Sequence, residues 1–115
     1  MKASRDQVVA LERAGLREHA LEWYAKKERA PVRCAREADR GVPFTLLRKS
    51  EKGLPLHDGT EMHFALLRAP DGSRVLQQLD AYDQRGLKLG QAIELELGAR
   101  GELALSRGID RGRGR

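Results

Sequence analysis

Residues 61–80 read EMHFALLRAPDGSRVLQQLD, and this stretch decides the fold. Glu61 to Ala69 reads as a strand. Pro70-Asp71-Gly72-Ser73 is a strong turn signal, because proline presets φ, aspartate bonds its own backbone and glycine tolerates the left-handed region. Arg74 to Asp80 is the natural return strand, so the stretch predicts a β-hairpin.

Working outward, the same in-out pattern continues on both sides. Gly86 to Gly90 is a second turn region. Gln91 to Leu97 alternates cleanly, with Ile93, Leu95 and Leu97 on one face and Glu94 and Glu96 on the other, as in a half-buried antiparallel strand. Gly98 to Gly101 turns the chain, and Glu102 to Arg107 returns with Leu103 and Leu105 inward. Upstream, Gly53, Pro55, Asp58 and Gly59 mark a loop. Val42 to Lys49 is rich in Phe, Thr and Leu and reads as a strand, with a shorter one over Val32 to Ala35. Five short strands at close spacing predict a small antiparallel β-barrel over residues 31–107, SH3-like or OB-like, whose closure protects its edges.

Before Pro31 the period is helical. Ser4 and Gln7 have capping-box spacing, and Val8, Leu11 and Ala14 recur at helical intervals. Gly15 followed by Leu16, with Leu11 inside, has the pattern of a Schellman stop. A second helix is expected from Arg17 to about Arg29, with Glu22 and Lys26 in the favoured i,i+4 order and Lys26, Lys27 and Arg29 at the negative end of its dipole. The expected fold class is therefore α+β: a helical hairpin over residues 1–30, the barrel over 31–107, and a disordered Arg/Gly tail over 108–115.

The chain has 115 residues with a net charge of +5, a length that fits one domain of ordinary size. The charge is uneven: residues 1–40 carry +3, 41–106 carry −1 and 107–115 carry +3. A basic surface at both ends points toward an anionic partner such as nucleic acid. No apolar run approaches the roughly 20 residues of a membrane span, and no apolar segment follows the first charges as a secretory leader requires. With one cysteine, Cys34, no disulfide framework is expected and cytoplasm is the default compartment.

No phosphate-loop, dinucleotide, nucleophile-elbow or zinc-protease motif is present, so the expectation is a protein that is not an enzyme and takes no cofactor or metal. His57, Asp58, Glu61 and His63 are metal-capable but match no ligand spacing, and read as a polar loop entering a strand with an outward histidine. Cys34 lies between Arg33 and Arg36, which favour a thiolate, yet no hydrolase signature surrounds it. Trp23 and Tyr24 diverge by about 100° on a helix, which places one on the core and the other partly in solvent, where an aromatic anchors a protein interface. Lys26, Lys27, Arg29, Arg111, Arg113 and Arg115 are the candidate phosphate contacts, since arginines on a glycine-rich backbone reach phosphates and stack on bases.

HFALLRAPDGSRVLQQLD followed by GLKLGQAIELEL resembles the small β-domains appended to plasmid mobilisation relaxases and other conjugation proteins. The resemblance covers the central third of the chain and implies an accessory module in DNA transfer. The chain lacks the tyrosine and histidine cluster of a relaxase catalytic domain, so no nuclease residue carries over. Two functions follow as expectations. One is a nucleic-acid module, binding DNA without sequence preference. The other is a protein-interaction module, an adaptor, inhibitor or homo-oligomer anchored at Trp23 and Tyr24. Neither involves a membrane.

Overall fold

The computed structural model describes residues 4–50, 52–79, 86–98 and 102–106. The first element is one helix, α1, over Arg5–Glu28. Ser4 caps it as its spacing requires: the Ser4 hydroxyl accepts from the Gln7 amide at 3.1 Å and the Gln7 side chain accepts from the Ser4 amide at 2.8 Å. The expected hairpin is not formed, because Gly15 does not stop the helix. A glycine inside a helix costs about 1 kcal/mol against alanine, whereas each large apolar side chain buried contributes about 1.5–3 kcal/mol. Val9 on one side of Gly15 and Leu16, Ala20 and Tyr24 on the other pack into a single cluster with the sheet, and that burial keeps the helix continuous. Leu11, the apolar partner a Schellman stop needs, is 71% exposed instead.

The helix ends at Arg29, which takes the left-handed conformation (φ 54°), while the Ala30 amide donates to the Ala25 carbonyl. Pro31 follows and bars continuation. A methyl group at Gly15 would meet nothing within 4 Å, and its φ is not positive. Gly15→Ala should therefore raise stability by roughly 0.5–1 kcal/mol, read as a higher urea midpoint at unchanged slope. A left-handed stop at this position would instead make the substitution destabilising.

The strands are β1 (Val32–Cys34), β2 (Phe44–Lys49), β3 (Leu54–Pro55), β4 (Glu61–Arg68), β5 (Arg74–Leu79), β6 (Ala92–Ile93), β7 (Leu95–Leu97) and β8 (Leu103–Leu105), with one 3-10 turn at Glu37–Asp39. β4 and β5 form the expected hairpin, in register from His63 opposite Leu79 to Arg68 opposite Arg74. Its turn is built as the residue types demand. Gly72 has φ 92°, and Asp71 accepts from the Ser73 amide at 2.9 Å.

The barrel expectation is corrected. The main sheet runs β1-β5-β4-β2-β6, with β3 on the start of β4, and among the described residues it does not close. β1 pairs with β5 in parallel, so the sheet is mixed rather than antiparallel. The segment read as one strand over 91–97 breaks at Glu94: β6 pairs with β2, whereas β7 leaves the main sheet and pairs with β8. The physical reason is visible in β4, which is buried on both faces from Met62 to Leu67. A barrel has one interior, but this sheet has two apolar faces and covers each separately. α1 packs over Leu56, Met62, Phe64, Leu66 and Leu76. On the opposite face Phe44, Leu46, Ala65, Leu67 and Val75 pack with Leu87 and with Leu95 and Leu105 of the β7–β8 ribbon.

Candidate functional site

A bulge in β2 builds the site. Leu46 lies opposite Leu67 and Arg48 opposite Leu66, so Leu47 is an extra residue on its strand. Strand alternation alone would send Leu47 and Arg48 to opposite faces. With the bulge, Leu47 packs with the helix-side cluster and Arg48 also reaches the helix, at Glu28.

Glu28 fixes the geometry of this corner. Its carboxylate, 11% exposed, accepts from Arg48 Nε at 2.6 Å and from Arg74 Nε at 3.1 Å. Those arginines belong to β2 and β5, which flank β4, so one carboxylate ties the end of α1 across the central strand. The Arg48 hydrogen bond, followed by that from Arg74, holds the Glu28 carboxyl below its ordinary pKa. At the other end of α1, Glu12 accepts from the His57 amide at 2.8 Å and anchors the loop before β4.

Between α1 and the β2 margin of the sheet lies a groove of about 660 Å³. Its apolar lining comes from Trp23, Tyr24, Leu47, Leu54, Phe64 and Leu89. His19, Arg48, Lys49 and Lys52 also line it, and no carboxylate does among the described residues. Trp23 is 47% exposed and Leu89 65% exposed. Tyr24 is buried, and burial raises its phenol pKa. The two rings meet edge to face, with centroids 4.8 Å apart and planes at 89°. Lys27 Nζ stands 5.1 Å from the Trp23 ring centroid, a cation–π contact.

The sequence-derived candidates divide accordingly. Trp23 and Tyr24 line the groove, and Lys27 lies against the Trp23 ring without lining it. Lys26 and Arg29 are exposed at the helix end. Arg111, Arg113 and Arg115, with the whole tail over 108–115, lie outside the described residues. Arg48, Lys49, Lys52 and His19 were not among the candidates. The signal for three of them was the local run Arg48-Lys49 with Lys52, hidden by averaging it into a middle segment of net charge −1.

A second cavity, of about 700 Å³, opens beside β5, with Arg13 and Arg17 as well as Glu61 and Glu102 in its lining, so its charge is mixed. Cys34, a free half-buried thiol, lies there too. His63 is not the outward side chain its loop suggested. It is 4% exposed, its ring nitrogens have no hydrogen-bond partner among the described residues, and Nε2 is 3.6 Å from Glu61 Oε1. Glu61 and His63 do share a face. Gly53 lies so close that a β-carbon there would come within 2.7 Å of His63 Nε2. Among the described residues no three His, Cys, Asp or Glu side chains group as a metal site. No described helix is long and apolar enough to cross a membrane. No protein-family model, curated protein or solved structure matches the chain.

Proposed function

We propose that the chain is a non-enzymatic nucleic-acid-binding module, serving plasmid mobilisation or another mobile-element process as the resemblance over the central strands implies. The observation that supports this most is the groove between α1 and β2: an exposed indole and an apolar floor with Lys49 and Lys52 at its rim, beside His19 and an Arg48 paired with Glu28, and no described carboxylate in the lining itself. A cationic groove with an aromatic platform is what a polyanion of stackable bases requires. Lys26 and Arg29 extend the positive surface at the helix end, and Arg111, Arg113 and Arg115 add cations in sequence.

The test is oligonucleotide affinity, by anisotropy, as a function of salt. Neutralising three or four phosphates gives a slope of log K against log salt of about −2 to −3. A fourfold rise in salt should then weaken binding roughly 15- to 60-fold. The double charge reversal Lys27→Glu/Lys52→Glu, on side chains outside the core, should flatten that slope and weaken binding at least about tenfold. Affinity that ignores salt and the double reversal removes this reading. A protein partner is the second reading, favoured by the apolar exposure of Trp23 and Leu89; an acidic peptide that outcompetes the oligonucleotide would select it.

A further inference from the structure

Resting on that reading, we infer that the groove takes a single strand, with one unstacked base seated against Trp23 and the adjoining phosphates on Lys27 and Lys52. The argument starts from the mismatch between lining and charge. Phosphates have no use for a floor made by Leu47 and Leu89, and an intact duplex keeps its base faces stacked on one another. A single strand offers both parts at once, apolar flat faces for the floor and regularly spaced anions for the rim. The cations and the apolar surface share one groove, so a ligand filling it has to carry both.

Trp23 is suited to be the platform. Half of it is open to solvent, while the buried Tyr24 ring, packed at 89° to it, fixes its orientation. Its ring is within reach of a flexible ligand, because Lys27 already occupies it with an ammonium at 5.1 Å. A base entering there displaces a mobile side chain rather than packed backbone, and the released ammonium is then free to meet a phosphate of the same strand. Arg48 is held on Glu28 by an ion pair at 2.6 Å, so the charge that meets the strand comes from Lys27 and Lys52.

Trp23 is the sole tryptophan, so its fluorescence reports this groove alone. Titration of the full chain with an oligothymidylate should quench it, with a midpoint that matches anisotropy of the same labelled strand. A hairpin duplex of equal phosphate number should quench little. Trp23→Ala should weaken single-strand binding roughly 5- to 100-fold, the range set by loss of one stacked base, while Trp23→Phe keeps most of the affinity. The phenylalanine variant separates stacking from a folding defect. Retention of the oligonucleotide with no quench and no effect of Trp23→Ala would overturn the inference and leave the nucleic-acid function standing. Equal quenching by the duplex, or by an acidic peptide, would also overturn it. No retention of any nucleic acid would remove the function and the inference together.

Discussion

Asp39→Ala is expected to cost about 2–3 kcal/mol of folding stability, a large loss for a substitution made outside the hydrophobic core. Asp39 is 5% exposed and accepts two parallel hydrogen bonds from Arg33, at 2.8 and 2.9 Å, plus one from the Arg36 amide at 2.9 Å. Alanine would leave a guanidinium and an amide without their partner. Breaking a buried pair typically costs about 3–5 kcal/mol, and Arg33, about a third exposed, recovers part of that from water. The pair ties the loop after β1 back to β1, the strand that completes the sheet in parallel. Chemical denaturation measures the loss directly. A change below about 0.5 kcal/mol, the level of an ordinary surface substitution, would show that the pair is ornamental.

The same carboxylate gives the fold an acid limit. The Arg33 hydrogen bond holds the Asp39 carboxyl below its ordinary pKa against burial, the next largest influence, and the Arg36 amide adds to the lowering. A carboxyl more acidic in the folded state stabilises the fold fully above its unfolded pKa of about 3.9, and that contribution is lost as pH falls through the folded value. Glu28 has the same sign. Stability should therefore be flat near neutrality and decline below about pH 5. Asp39→Asn should flatten part of that decline, with Glu28, Asp58 and Asp71, whose carboxyls are shifted the same way, contributing to the rest. An Asp39→Asn curve parallel to wild type would refute the assignment.

The second large effect is Phe64→Ala, for which a loss of about 3–5 kcal/mol is expected. Phe64 is 2% exposed on the central strand, beneath α1, and it also lines the groove. Its backbone is held independently, donating to Ser50 Oγ at 2.9 Å and accepting from the Ser50 amide at 2.9 Å, so the ring's removal leaves a cavity that the strand cannot easily collapse to fill. For a domain of this size the melting temperature should fall by roughly 10–20 °C. Phe64→Leu, which keeps most of the volume, should cost far less. Equal losses for the two variants would mean that shape at this position matters little.

What could be read in the sequence was what neighbouring residues settle between themselves. The Ser4–Gln7 cap and the Pro70–Ser73 turn are closed within four residues, and both form as expected. Gly15 was misread because its local pattern, a glycine between Leu11 and Leu16 at stop spacing, is overruled by packing against strands far along the chain. The barrel was misread for a related reason. Nothing in Val32–Cys34 announces that its partner is Arg74–Leu76, or that the two run parallel. The nearly unbroken apolar run Met62–Leu67, interrupted only by His63, was the signal in the sequence for a strand covered on both faces. At the groove, the aromatic pair was visible, as was Lys27 against its indole. The cations of β2 join them only because one extra residue, Leu47, shifts the strand's phase, and no local signature marks that position.

The order of the elements along the chain bears on how the protein is made. α1 leaves the ribosome before any strand that it covers, and its partners Met62, Phe64, Leu66 and Leu76 are synthesised long after Val9 and Leu16. A nascent chain released up to Arg68 can already pair β4 with β2 and β3, but the other edge of the central strand stays open until its β5 partner is made. Only when Arg74–Leu79 has emerged can the hairpin close that edge and add Leu76 to the surface under the helix. The interval between those two moments is when this chain is most exposed to association with other nascent polypeptides, and a chaperone that binds short apolar segments would find its preferred target in residues 62–67.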